Sequence, residues 1–356
     1  MTDEIAALVE CESPTGDTDA CRELVAELGT DLLGSAPVPH GEHLLWSFGL
    51  PRVLLLGHFD TVWPRDTLAR WPFSIDGSRA TGPGCFDMKA GLVQIFHALA
   101  GLDDLDGVAV LLTSDEEVGS PSSRGIIEST ARRVSAVFVT EPSADGALKT
   151  SRKGLARYQL QITGRAAHSG LNPERGVNAG VELAHQVLAV AGLGAPGSGT
   201  TVTPTASAAG TTSNTVPGSA RLSIDVRGFN PGELARVDEA IHALRPVHPE
   251  ASLTVLDGPR RGPLQRSASF GLFQQAASIA AELGMPPLRE AAVGGGSDGN
   301  LTAAIGIPTL DGLGAVGGNA HAEGEWLDLS ALPVRTELLR RLVDRARRDW
   351  TEQAGQ

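Results

Sequence analysis

Five short segments of the sequence carry residue types that bind metal ions, each at the end of an apolar run or beside a turn. Leu54-Leu55-Leu56-Gly57-His58-Phe59-Asp60 closes an apolar strand pattern on an imidazole, with a carboxylate two residues on. The segment from Gly82 to Gly91 sets Asp87 between a glycine turn and a helix start, and Leu111 to Gly119 runs into three consecutive acids, Asp115, Glu116 and Glu117. Val137 to Pro142 is another apolar run that ends on a carboxylate, Glu141, and Asn319 to Glu325 supplies His321 late in the chain. Singly, each has an ordinary explanation: a strand-end His packs or is solvated, Asp87 caps a helix, and an acid run lies on a loop. Jointly they form a nitrogen and oxygen donor set without thiolates, which suits zinc and which cobalt or manganese also accept. Adjacent carboxylates at the end of an apolar run repel one another unless cations neutralise them. Two ions fit best if Asp87 bridges, because each then has one His, one terminal Glu and the shared carboxylate, with a position left for water. Glu116 remains as the general base, taking a proton from the attacking water and delivering it to the leaving nitrogen. Asp60 is suited to fix the ring of His58 through its second nitrogen.

Residues spread this widely meet only if the elements between them bring strand ends together. Arg52 to Gly57, Gly107 to Thr113 and Ala136 to Glu141 read as buried strands, and Asp17 to Leu33 and Met88 to Leu99 carry helical periodicity. This predicts an α/β catalytic domain, a mixed and mostly parallel sheet covered by helices on both faces, with the polar residues at the strand ends where such sheets bind ligands. From about Gly154 the texture changes to period-two alternation at Leu155 to Thr163 and Ala220 to Arg227, with amphipathic stretches at Val177 to Ala191 and Glu233 to Leu244. The first pattern returns near Pro263, with a helix candidate at Ala268 to Leu283, an apolar run at Ile307 to Leu310 and an amphipathic tail from Leu329 to Trp350. The expected organisation is a discontinuous catalytic domain, 1–153 and 263–356, interrupted by an α+β insert at 154–262.

In this order and spacing the five segments resemble the dizinc aminoacyl carboxypeptidases and deacylases, nearest the glutamate carboxypeptidase (carboxypeptidase G type) branch. The motifs are the HxD after a strand, GxxDMK, DEExG, EP and the late His, and the resemblance spans nearly the whole chain. It implies one zinc held by His58, Asp87 and Glu141 and a second by Asp87, Glu117 and His321, with Glu116 as base, Asp60 orienting His58 and a cis peptide at Asp87-Met88. It also implies that the insert is a lid that pairs two chains into a homodimer. By the same resemblance His168, in Gly164 to Gly170, reaches the neighbouring subunit's site and steadies the oxyanion. Asn214 and Arg227 would bind a substrate carboxylate, for which a guanidinium offers two parallel hydrogen bonds. Gly295 and Gly296, in a glycine run lacking the GxGxxG context of a nucleotide cradle, are expected to line the substrate pocket. The implied reaction is hydrolysis of the amide of an N-acyl amino acid or peptide with a free C-terminal carboxylate. The alternatives are an N-acetyl or N-succinyl amino-acid deacylase with the same metals and a non-catalytic binding or scaffold relative.

Bulk properties narrow the classes further. A formal net charge of −13 and a pI near 5.1 argue against a nucleic-acid partner. No segment has the length of apolar residues that a membrane span requires, and the start of the sequence lacks a basic region followed by an apolar run. Three cysteines, Cys11, Cys21 and Cys85, form no CxxC pair, which suits a reducing compartment and a cytoplasmic location.

Overall fold

The structure, a computed structural model, describes residues 1–353, with only the helical backbone described for 349–353. The chain divides into two compact units: Met1–Arg152, Leu264–Val293 and the chain from Ser297 onward form the first, and Lys153–Pro263 with Gly294–Gly296 the second. The glycine run 294–296, expected with the catalytic part, therefore groups with the insert.

The sheet of the first unit contains β1 (Val38–His40), β2 (His43–Phe48), β3 (Val53–His58), β4 (Val108–Thr113), β5 (Ala136–Val139) and the short strand Thr309–Leu310, in the order β1-β2-β4-β3-β5-Thr309–Leu310. From β4 to Thr309–Leu310 all pairings are parallel, and β1 and β2 add an antiparallel edge. Every residue of β3, β4 and β5 is buried, because both faces are covered, and this is why these strands read as unbroken apolar runs. Successive side chains still serve opposite faces. Val53, Leu55, Val108, Val110, Leu112 and Phe138 join one core with Trp46, Phe96 and Leu339. Leu54, Leu56, Ala109, Leu111, Val137 and Val139 join another with Ile127 and Leu301.

The register aligns His58 with Thr113 and Leu56 with Val139. The residues that follow β3, β4 and β5 consequently leave the sheet at one carboxyl edge. Asp87 arrives there by a different route. Cys85–Lys89 forms a wide turn in which Asp87 and Met88 have non-helical backbone angles, the Asp87-Met88 peptide is cis, and the regular helix starts at Ala90 rather than Met88. Asp87 is thus not a helix cap. The turn is tied down by Lys89, which is buried and donates from Nζ to the carbonyls of Leu8 (2.7 Å) and Cys11 (2.8 Å) at the end of the helix Thr2–Glu10, where the carbonyls lack intrahelical partners and favour a cation.

The second unit is an antiparallel sheet of β6 (Gly154–Thr163), β7 (Thr201–Ala209), β8 (Ser219–Gly228) and β9 (Ser252–Arg261), in the order β7-β8-β6-β9. Ala156, Tyr158, Leu160 and Ile162 of β6 and Ala220, Leu222, Ile224 and Val226 of β8 alternate into a core closed by Leu183 and Val190 of helix Ala179–Ala191 and Val237 and Ile241 of helix Pro231–His242. The edge strands β7 and β9 are largely exposed and each contains a proline, so the period-two signal of a half-buried strand is confined to their first residues, Val202 in β7 and Leu253 and Val255 in β9.

Candidate metal centre

His58 ends β3 almost fully buried, with 2% exposure. Its Nδ1 lies 3.0 Å from the carbonyl oxygen of Asp60 and 3.3 Å from Asp60 Oδ1, which leaves Nε2 directed at Asp87 Oδ1 (3.5 Å) and Glu141 Oε1 (3.4 Å). Asp60 also accepts the backbone N–H groups of Glu116 and Glu117, both at 3.2 Å, and the Thr15 hydroxyl at 2.7 Å. One buried carboxylate therefore holds the His58 segment and the turn bearing Glu116 and Glu117 in a common frame. At the far side, His321 has a positive φ of 63°, and its Nε2 stands 3.3 Å from Asp87 Oδ2 and 3.2 Å from Glu117 Oε2. Asp87 thus presents one oxygen to each imidazole. A carboxylate oxygen of Glu116 lies within 4.8 Å of donor atoms of His58 and Glu141.

These donors fit divalent ions on two grounds. His58 Nε2 and Asp87 Oδ1 are buried without hydrogen-bond partners, a costly state unless something else satisfies them. The separations of 3.2–3.5 Å lie at or past the long end of the usual N–H···O range and match the edge, about 3.3 Å, of a tetrahedron with metal–ligand bonds of about 2.0–2.1 Å. The protonation pattern has the same origin. Burial opposes charge on His58, yet the carboxylates of Asp60, Asp87 and Glu141 that surround its ring push its pKa well above the ordinary imidazole range. His321, facing the carboxylates of Asp87 and Glu117, is pushed up to about 10. Burial alone would raise Asp87, but the two imidazoles hold it far below the usual carboxylate range. Burial raises Glu117. Burial and the Asp87 charge act upward on Glu141, and Arg152, His58 and Lys149 bring it down on balance. Without metal, imidazolium protons supply the positive charge that this carboxylate cluster needs.

Two residues absent from the sequence reading belong to the same centre. Arg152, 3% exposed, donates to Glu141 Oε2 at 3.0 Å and to both oxygens of Asp311 at 2.8 and 3.0 Å. The available signal was its phase, since it follows Leu148 and Thr150 at the buried positions of an alternating strand. The second is Glu325, fully buried under the turn that carries Asp87. The sequence offers Glu323 and Glu325 in one segment with nothing to choose between them.

The remaining candidates belong to the second unit. His168 lies on a two-residue strand paired with Thr215–Val216, and Ser169 N donates to Asn214 O at 3.0 Å, so the His168 and Asn214 segments are neighbours. His168 Nδ1 accepts the N–H groups of Gly170 (3.1 Å) and Leu171 (3.2 Å). In the neutral ring this assigns the hydrogen to Nε2 and makes that atom a donor. Arg227 is engaged within its own unit, with Nε on Asp225 Oδ1 at 2.9 Å and Nη1 on Gly294 O at 3.3 Å. At Gly295 an added Cβ would meet nothing within 4 Å. Gly296 shares its run.

Two imidazoles sharing one carboxylate, each with a further acid and with an unassigned Glu beside them, at the carboxyl edge of a mostly parallel sheet, define a metal-dependent hydrolase. Residues 54–345 match the model of the peptidase family M20/M25/M40, and the chain belongs to that family, whose metallopeptidases use divalent ions. It is 33% identical to carboxypeptidase G2 of Pseudomonas sp. (strain RS-16) over 94% of this chain and 86% of that one. It is also 29% identical over 147 residues to the acetylornithine deacetylase of Buchnera aphidicola subsp. Acyrthosiphon pisum (strain APS), a match covering 38% of this chain and 36% of the other. In fold it is similar to the aminopeptidase PepT of Bacillus cereus ATCC 10987, with a TM-score of 0.77, 21% identity and 97% of each chain covered. Among the described residues no helix is long and apolar enough to cross a membrane.

Proposed function

We propose that the protein is a dinuclear exopeptidase and amidohydrolase that releases an amino acid with a free carboxylate from an N-acyl amino acid or peptide, as a glutamate carboxypeptidase does. The observation that carries this reading is the pair of Asp87 oxygens, one facing His58 and the other His321. His58, Asp87 and Glu141 would hold one ion, and Asp87, Glu117 and His321 the other, with zinc the best match to the donors and cobalt or manganese able to substitute. When bound, such ions would supply Lewis acidity toward the amide carbonyl and would increase the acidity of a water. The protein's own part is positional and protonic. Glu116 takes a proton from the water that attacks the amide carbon and passes it to the nitrogen as the C–N bond breaks, yielding a carboxylic acid and an amine, which separate as carboxylate and ammonium once the acid's proton has passed to the amine. Asp60 keeps Glu116 and His58 at fixed separation throughout.

The donor state of His168 Nε2 supports a role in stabilising the oxyanion, which by family resemblance is delivered across a homodimer of the inserted unit. Arg227 and Asn214 are the groups proposed for the substrate carboxylate, and Gly295 and Gly296 for the pocket wall. The match to an acetylornithine deacetylase favours, as second reading, release of an acetyl or succinyl group by the same chemistry. Product release from a panel of N-acyl amino acids and dipeptides, measured beside Glu116→Gln, separates the two. Preference for one C-terminal residue across different acyl groups is the expected result, and activity confined to acetyl or succinyl substrates transfers the protein to the deacylases. Glu116→Gln should keep its metal and lose at least ~100-fold in turnover. Full activity in that variant removes Glu116 from the reaction.

A further inference from the structure

Asp87 receives its geometry from a carboxylate that contributes no donor to the centre. Glu325 is fully buried, and its two oxygens take four hydrogen bonds: Oε1 from the N–H groups of Phe86 and Asp87, both at 2.8 Å, and Oε2 from Gly84 N and Trp63 Nε1, both at 2.9 Å. Its backbone carbonyl accepts Gly82 N at 3.3 Å and faces Cys85 Sγ at 3.7 Å, and the next residue, Trp326, pairs with Thr81 in a small sheet. The turn from Gly82 to Asp87 is therefore wrapped around one side chain, and that side chain comes from the segment bearing His321. His321 itself is half-exposed and stands on a positive-φ backbone beside Asn319, which also has positive φ. The clasp and the pairing of Trp326 with Thr81 together join the His321 segment to the turn that carries Asp87.

We infer that Glu325 is a positioning residue for the dinuclear centre: by binding the amides of Gly84, Phe86 and Asp87 it sets the Asp87 carboxylate between His58 and His321 and couples the two loops that must hold the ions. The inference rests on the dinuclear reading given above. The chemistry requires a carboxylate here. Four donors converge on two oxygens, and an amide in its place turns an N–H₂ group toward two of those donors, so the Asp87 turn must move away. Outer partners of this kind govern how well a ligand is presented, and their loss typically weakens metal affinity by about 10–100-fold.

The test is competition for zinc between a chromophoric chelator and the purified protein, for the parent and Glu325→Gln, with thermal unfolding of the metal-stripped proteins recorded in parallel. The parent should take up two ions. Glu325→Gln should bind both at least ~10-fold more weakly, also when compared at a temperature where both stripped proteins are fully folded. Parental affinity in a variant whose stripped form merely melts earlier overturns the inference, because Glu325 would then serve folding alone. A parent that fails to take up two ions overturns the dinuclear reading and this inference with it. If Glu325→Gln does not fold, Trp63→Phe removes one donor and leaves the charge in place. It should weaken zinc binding in the same direction, and unchanged affinity there overturns the inference.

Discussion

Arg152 sits between Glu141 and Asp311 with almost no solvent contact, and Asp311 also accepts the Ser297 hydroxyl at 2.5 Å. Such an arrangement gains little over an apolar one when complete, yet it is expensive to break, because removing one partner strands the other charges in a low-dielectric interior. The guanidinium also occupies Glu141 Oε2, so that Oε1 is the oxygen presented to His58. Replacing Arg152 by Met, which conserves much of the volume, leaves two carboxylates without their cation. The expected loss is about 3–5 kcal/mol of stability in the metal-stripped protein, read from the urea midpoint. An unchanged midpoint would mean that Asp311 and Glu141 find another charge partner or take up protons at negligible cost. Lys149, whose Nζ is 3.9 Å from Glu141 Oε2, is the nearest substitute, although burial already disfavours its charge.

At the scale of elements, the helix Ala90–Ala100 must approach the strand end that carries Glu141 more closely than any side chain permits. A Cβ at Gly91 would lie 2.2 Å from the carbonyl oxygen of Thr140, and one at Gly314 would lie 2.1 Å from the same atom. Gly91 lets the helix that follows the Asp87 turn converge on the Glu141 strand end, and Gly314 lets the segment after Thr309–Leu310 do the same. Gly91→Ala sets two effects against each other: alanine gains up to about 1 kcal/mol of helix propensity, while forcing a methyl against a backbone oxygen costs about 1–3 kcal/mol or more. A net loss of stability is expected, together with weaker metal retention. The control is Gly125→Ala in the helix Arg124–Ala131, where nothing lies within 4 Å of the added atom and the propensity gain should appear alone. If both variants are stabilised in urea titrations, the close approach does not constrain the centre. The same contrast explains what the sequence disclosed. Strands β3, β4 and β5 are legible because burial on both faces writes itself as an apolar run, and His58, Glu116, Glu117 and Glu141 are legible because each follows such a run. Edge strands β7 and β9 leave no comparable trace. Arg152 meets Asp311 across 159 positions and Glu325 meets Gly84 across 241, so their roles exist only after the chain has folded.

For the whole molecule, the carboxylate cluster at one sheet edge makes metal, protons and folding a single linked equilibrium. His321 is held at about 10 by Asp87 and Glu117 and His58 is displaced in the same direction, whereas an imidazole of the unfolded chain titrates near about 6.5. Between those values the stripped folded protein binds more protons than the unfolded chain, so its stability is greatest below about 6.5 and declines as pH rises toward about 10. The acidic limit is set by Asp87 and Glu141, whose depressed pKa values contribute stability above the ordinary carboxylate range and lose it as protons are added below it. Metal ligation needs the imidazoles neutral, so loading must expel the protons that the stripped protein retains. The cost of expulsion shrinks as pH rises, and metal stabilisation therefore grows over the interval in which the stripped protein weakens. Calorimetric unfolding of stripped and zinc-loaded protein from about pH 6 to about pH 9 should show a widening gap in Tm, and zinc titrations near neutrality should release protons, seen as a binding enthalpy that depends on the ionisation enthalpy of the buffer. A gap that stays constant across this interval, with no buffer dependence, would mean that the two imidazoles are already neutral in the stripped protein and that the carboxylates are balanced by some other charge.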